Sequence, residues 1–129
     1  MADISIIAEN TALKAETLDG LISDLLGPGI EVVVTDPGYM RVMNRRYRHI
    51  DRPTDVLTFD LSNPGDDVPS GTIFVDGRLF PPIEELLERI FHGYLHLSGM
   101  SHDNEDDAGL MEQRVEELVN SAMKGYRAP

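Results

Sequence analysis

Three of the four histidines in this 129-residue chain fall within eleven residues, H-G-Y-L-H-L-S-G-M-S-H from His92 to His102. No other stretch constrains local structure so tightly. His92 and His96 are four residues apart, so on a helix their imidazoles leave one face about one turn apart. Gly99 can take the left-handed conformation that ends a helix. The chain can then reverse and bring His102 in from the side. Three neutral imidazoles around one ion leave a fourth position for water, the catalytic form of a zinc site. A single helical His pair would be an ordinary surface or core accident. Three histidines at i, i+4 and i+10, with a glycine between the second and third, make a metal pattern.

The chain has no cysteine. Disulfides and thiolate sites are therefore excluded, and any metal must be held by His, Asp or Glu. Three imidazoles suit Zn, Cu, Fe or Ni. Availability and the open tetrahedral geometry favour one Zn²⁺ per chain, which would bring the pKa of its water toward ~7. The spacing H-x3-H-x2-G-x2-H also occurs in metzincin proteases, which need Glu directly after the first His as general base. That position is Gly93 here, and no other carboxylate stands on that turn. Peptidase chemistry is disfavoured.

The rest of the chain supplies a frame for this helix. Ile4–Ile7 reads as a strand. A helix with Thr11 as N-cap runs to Leu26, carries Leu18, Leu21, Ile22, Leu25 and Leu26 at helical spacing, and stops at Gly27-Pro28-Gly29. Ile30–Thr35 is a strand. Asp36 and Pro37 open a second helix, as N-cap and first helical residue, that runs to about Tyr47. Strands are expected at Val56–Phe59 and Ile73–Val75, with the loop Ser62–Ser70 between them. The histidine helix spans about Ile83–Ser98. A last helix spans Glu105–Met123, with Leu110, Val115, Leu118 and Val119 on one side, most simply as core. Asp103–Asp107 would cap that helix and complement its dipole. Four strands and four helices in mixed order imply an α+β fold in one domain over 1–129, a mixed four-stranded sheet with packed helices and a zincin-like histidine helix.

Hydrophobic residues are 41% and charged residues 26%, the balance of a globular protein and not of a disordered one. No apolar run approaches the ~20 residues of a membrane span. The N-terminus lacks the basic and apolar regions of a signal peptide. The expected location is the cytoplasm, without a membrane partner. Eleven Lys and Arg against 23 Asp and Glu give a net charge of −12, which argues against a long-range electrostatic clamp on nucleic acid. Yet Arg41, Arg45, Arg46, Arg48 and Arg52 crowd into twelve residues, and a local basic patch can persist on an acidic protein.

With both motifs in view, the sequence resembles the YbeY family of bacterial rRNA-maturation endoribonucleases. The family pattern H-G-x-L-H-L-x-G-x-D-H is matched by His92–His102. The pattern N-x-x-Y-R-x-x-D-x-P-T-(D/N)-V-L-(S/T)-F is matched by Asn44–Phe59. The resemblance spans most of the chain from about Ile30 onward. It implies a single-strand-specific endoribonuclease in 16S rRNA 3′-end maturation and ribosome quality control. It places His92, His96 and His102 as zinc ligands and Arg48 at the family's functional arginine. RNA, ribosomal particles and ribosome-assembly proteins are the implied partners. The planar donor fork of Arg48 suits a scissile phosphate, while its plain alternative is a surface salt bridge, for instance with Asp51. Arg45, Arg46 and Arg52 are weaker candidates for backbone contacts, and Thr54 and Asp55 read as residues that tie the turn.

Three departures stand out. Ser101 occupies the place of an acidic residue, with Asp103 as a candidate second-shell substitute. Gly71-Thr72-Ile73 replaces G-D-I, and the segment before the histidine helix is about ten residues short of the family's usual spacing. Two further readings therefore stay open: a non-catalytic zinc-binding assembly factor, and a metal-dependent hydrolase of another substrate.

Overall fold

A computed structural model describes residues 3–6, 15–76, 83–100 and 104–124. The elements are β1 (Asp3–Ile6), α1 (Ala15–Ile22), β2 (Gly29–Thr35), α2 (Pro37–Arg48), β3 (Val56–Asp60), β4 (Ser70–Asp76), α3 (Ile83–Leu97) and α4 (Glu105–Met123). The α+β class read from the order of elements holds. β2 runs parallel to β4 and β4 antiparallel to β3, which makes the sheet mixed. β1 lies parallel alongside β2, giving the order β1-β2-β4-β3 and leaving β3 at an edge.

Local chemistry explains most boundaries. The Asp36 carboxylate accepts from the Tyr39 N–H at 2.8 Å and Pro37 follows it, the expected opening of α2. Asn104 caps α4 by accepting from the Asp107 N–H at 2.9 Å, with Glu105, Asp106 and Asp107 in the first turn. Gly99 takes φ 95°, and the Gly99 and Met100 N–H groups turn back to the carbonyls of His96 and Leu95. That is the paired Schellman stop, and it ends α3 as the sequence required.

Two expectations fail. α1 does not continue to Leu26: the N–H groups of Leu25 and Leu26 both fold back on the Ile22 carbonyl, tightening the chain into a turn ahead of the Gly-Pro-Gly stop. Its proposed cap, Thr11, lies outside the described residues. Leu110 is not on the buried side of α4 but is 59% exposed; Met111 takes its place. The buried stripe runs Met111, Val115, Leu118, Val119 and Ala122, a helical repeat that leaves Leu110 one residue off the face.

Alternation divides the sheet. Ile30, Val32, Val34, Ile73 and Val75 form one core with Leu18 and Ile22 of α1 and the apolar stripes of α3 and α4. The other face carries Phe59 and Phe74, over which α2 lays Tyr47 and Tyr39, with ring centroids 5.2 and 6.1 Å from their partners. The histidine helix and the arginine helix thus flank opposite faces of the sheet. They can meet only around its β3 edge.

Candidate active site

Along α3, Leu86, Leu87, Ile90 and Phe91 anchor the helix in the core, and Arg89 ties it to the sheet by donating to the Asp76 carbonyl at 2.9 Å. This orientation turns His92 and His96 together toward the β3 edge, with ring centroids 4.8 Å apart. Gly93, between them, faces the sheet. A Cβ there would lie 2.9 Å from Thr58 Cγ2 and 3.1 Å from Ile73 Cγ2. No side chain fits at this position while α3 packs so closely. The absence of a protease-type glutamate therefore follows from packing as well as from sequence.

Opposite the histidines, α2 ends at Arg48 and His49 turns the chain at φ 60° and ψ 30°. The segment from Ile50 to Thr54 then passes along the edge of β3. A cleft of about 500 Å³ opens between the two walls, lined by Asn44, Arg48, Arg52 and Thr54 on one side and by His92, Gly93 and His96 on the other.

Edge strands expose unpaired carbonyls. On β3, alternation turns the carbonyls of Val56, Thr58 and Asp60 away from β4. The Thr54 hydroxyl donates to the Val56 carbonyl at 3.4 Å, and the Arg48 guanidinium donates to the Thr58 carbonyl at 3.1 Å. A guanidinium has five N–H donors, so this bond orients Arg48 and leaves other donors toward the cleft.

The Arg48–Asp51 salt bridge, the plain alternative for Arg48, is not formed. Asp51 is held by Arg41, Nε to Oδ1 at 2.8 Å and Nη2 to Oδ2 at 3.2 Å. That hydrogen bond, aided by the charges of Arg41 and Arg45, keeps the Asp51 carboxyl below its ordinary pKa. Of the five clustered arginines, Arg48 and Arg52 line the cleft, Arg41 is paired, and Arg45 and Arg46 are exposed away from it. A second groove, about 760 Å³, lies between α3 and α4. It is bordered by Glu84, Glu88, Glu112 and Glu116, with His92 between the two cavities. A polyanion is thus favoured on the α2 side of His92 and repelled on the α4 side.

One of the two replaced family carboxylates, at Thr72, can now be placed. Thr72 alternates with Ile73, which packs under Gly93, so its side chain is on the opposite face of the sheet from the histidines. There its hydroxyl donates to Glu31 Oε1 at 3.2 Å. Ser101, with His102 and Asp103, lies outside the described residues. Among the described residues no group of three or more His, Cys, Asp or Glu stands ready to hold a metal ion. Two imidazoles on one helix face, opening into a shared cleft, nevertheless suit a borderline-soft divalent ion that takes a further ligand from elsewhere.

Sequence reasoning singled out Arg48 and the histidines but gave Asn44, the first residue of the quoted motif, no role. Its signal was present: Asn44 stands four residues after Met40 on the apolar face of α2, and both are buried.

The family model described as "Endoribonuclease YbeY" matches residues 4–80. That span contains the Asn44–Phe59 motif and ends before α3. A protein named Endoribonuclease YbeY from Sulfurovum sp. is 34% identical over 118 residues, covering 81% of this chain and 79% of its own. One of the same name from Geobacillus thermodenitrificans is 32% identical, covering 86% of this chain and 88% of its own. The solution structure of a Thermotoga maritima protein shares the fold, with a TM-score of 0.64 at 24% identity over 98% of this chain. With the family model matching over half of its length and relatives above 30% identity over most of it, the chain belongs to the endoribonuclease YbeY family.

Proposed function

We propose that this chain is a zinc-dependent endoribonuclease that cuts single-stranded RNA in rRNA 3′-end maturation and ribosome quality control, working as one domain in the cytoplasm on ribosomal particles. The observation that carries this reading is the cleft itself: His92 and His96 on one wall, Arg48 and Arg52 on the other. The family's endoribonuclease relatives supply the substrate class.

On this reading α3 acts as a zincin-like helix. His92 and His96, joined by His102, would hold one Zn²⁺, which when bound supplies Lewis acidity beside the scissile phosphate. Arg48, fixed by the Thr58 carbonyl, presents its remaining donors to a non-bridging oxygen and stabilises the charge that develops there. Arg52 neutralises a phosphate of the same strand. The carboxylates beyond His92 keep that strand on the arginine side. The cleft stands open at the sheet edge, which suits an extended single strand better than a stiff duplex.

Purified protein loaded with zinc should cleave single-stranded rRNA, while chelator-stripped protein and His96→Ala should not. Zinc bound at one per chain with RNA left intact would overturn the nuclease reading in favour of a non-catalytic assembly factor or a hydrolase of another substrate.

A further inference from the structure

The family assignment leaves Asn44 without a role, yet it is the most connected residue of the arginine wall. It is 5% exposed on the buried face of α2. Its backbone carbonyl accepts the N–H of His49, the residue in left-handed conformation, and that of Ile50 at 3.3 Å. Its side-chain Nδ2 reaches past this turn and donates to the Arg52 carbonyl at 2.9 Å. One residue therefore clamps both ends of the 49–52 return, and that return carries Arg52 and Thr54 to the cleft.

We propose that Asn44 is a positioning residue for RNA: it fixes the 49–54 segment so that Arg52 meets the phosphate backbone opposite His92 and His96. This rests on the endoribonuclease reading. The physical argument is about a carbonyl and an amide. The Arg52 carbonyl has a partner in a half-buried setting where losing one is costly. No hydrophobic residue at position 44 could donate to it. Serine is too short to span the same gap, and aspartate would set an acceptor against an acceptor. Without the side-chain bond, the Asn44 carbonyl still holds His49 and Ile50, but the far end of the return at Arg52 is released. Arg52 then samples positions away from the strand, although its charge is unchanged.

The test is a double-mutant cycle read by binding of a single-stranded oligoribonucleotide to chelator-stripped protein, so that neither metal nor turnover enters. Arg52→Ala should weaken binding about tenfold and lower the salt slope by about one. Asn44→Ala should weaken it by a similar factor. The double variant should be no weaker than either single one, because Asn44 acts through Arg52. Leu118→Ala, in the α4 core and remote from the cleft, controls for lost stability and should leave binding unchanged. If Asn44→Ala does not fold, Asn44→Ser replaces it in the cycle. Losses that multiply in the double variant, or an equal loss in Leu118→Ala, would overturn the positioning role alone. A folded wild-type protein that binds no single-stranded RNA would overturn the nuclease reading and the proposal with it.

Discussion

Gly93 of α3 stands so close to Thr58 of β3 that a Cβ on the glycine would come within 2.9 Å of the threonine methyl. This contact sets the distance between the histidine helix and the edge strand, and hence the width of the cleft. Gly93→Ala should cost about 1–3 kcal/mol, the usual range for overpacking. It should also push α3 outward. Urea unfolding with an unchanged m-value would register the first effect, and weaker zinc binding in a competition titration the second. A Gly93→Ala protein as stable and as zinc-competent as wild type would mean that the helix is free to give way there.

His49 is the only described non-glycine residue at positive φ. A left-handed backbone costs an L-residue roughly 1–2 kcal/mol, part of which glycine forfeits through its unfolded-state entropy. His49→Gly should therefore raise stability by about 0.5–1 kcal/mol. His49→Val, β-branched, should lower it. The midpoint of urea unfolding orders the three proteins.

Asp51 gives a pH signature. Its folded-state pKa is depressed, first by the Arg41 hydrogen bond. The stabilisation is therefore present above the unfolded carboxyl pKa of ~3.9 and is lost as pH falls through the lower folded value. Wild type and Asp51→Asn should differ in melting temperature at pH 7 and converge as acidification passes below the folded-state value. The pair is exposed, so the gap is small and shrinks further in 1 M salt. A difference that grew on acidification would show that the carboxylate is not stabilised in the folded protein.

Metal removal should be visible without any RNA. A ligand bound only by the folded state stabilises it by mass action. Excess zinc should raise the melting temperature of stripped wild-type protein, and the rise should be lost in His92→Ala, His96→Ala and His102→Ala alike. An undiminished rise in His102→Ala would remove that residue from the ligand set.

How far the sequence reached depends on where the information is stored. Helix ends written in capping chemistry, at Asp36, Asn104 and Gly99, are legible because a few neighbouring atoms decide them. The end of α1 is not, because the strongest stop signal, Gly27-Pro28-Gly29, follows a turn that has already formed at Ile22. Leu110 misleads because Leu110 and Met111 are adjacent apolar residues, and only packing against α3 chooses between them. That His92 and His96 share one helix face could be read from spacing alone. The Arg48–Thr58 and Asn44–Arg52 bonds could not, since each closes a turn whose geometry is tertiary. Thr72 shows the reverse case: a replaced carboxylate that reads as a threat to the site, until alternation along β4 places it on the far face.

The Arg48 bond to the Thr58 carbonyl has a consequence beyond chemistry. β3 is the rim of the sheet, and Arg48 and Thr54 occupy two of the carbonyls through which another chain would dock by strand pairing. The guanidinium thus covers an acceptor that strand pairing would use. Drawn fully onto a phosphate, or deleted, it would leave the Thr58 carbonyl open on that rim. Arg48→Ala protein should therefore be weighed in solution as well as assayed on RNA: a rise in mass above wild type is the expected sign of strand-to-strand clumping, and an unchanged mass would show that the rim does not need this cover.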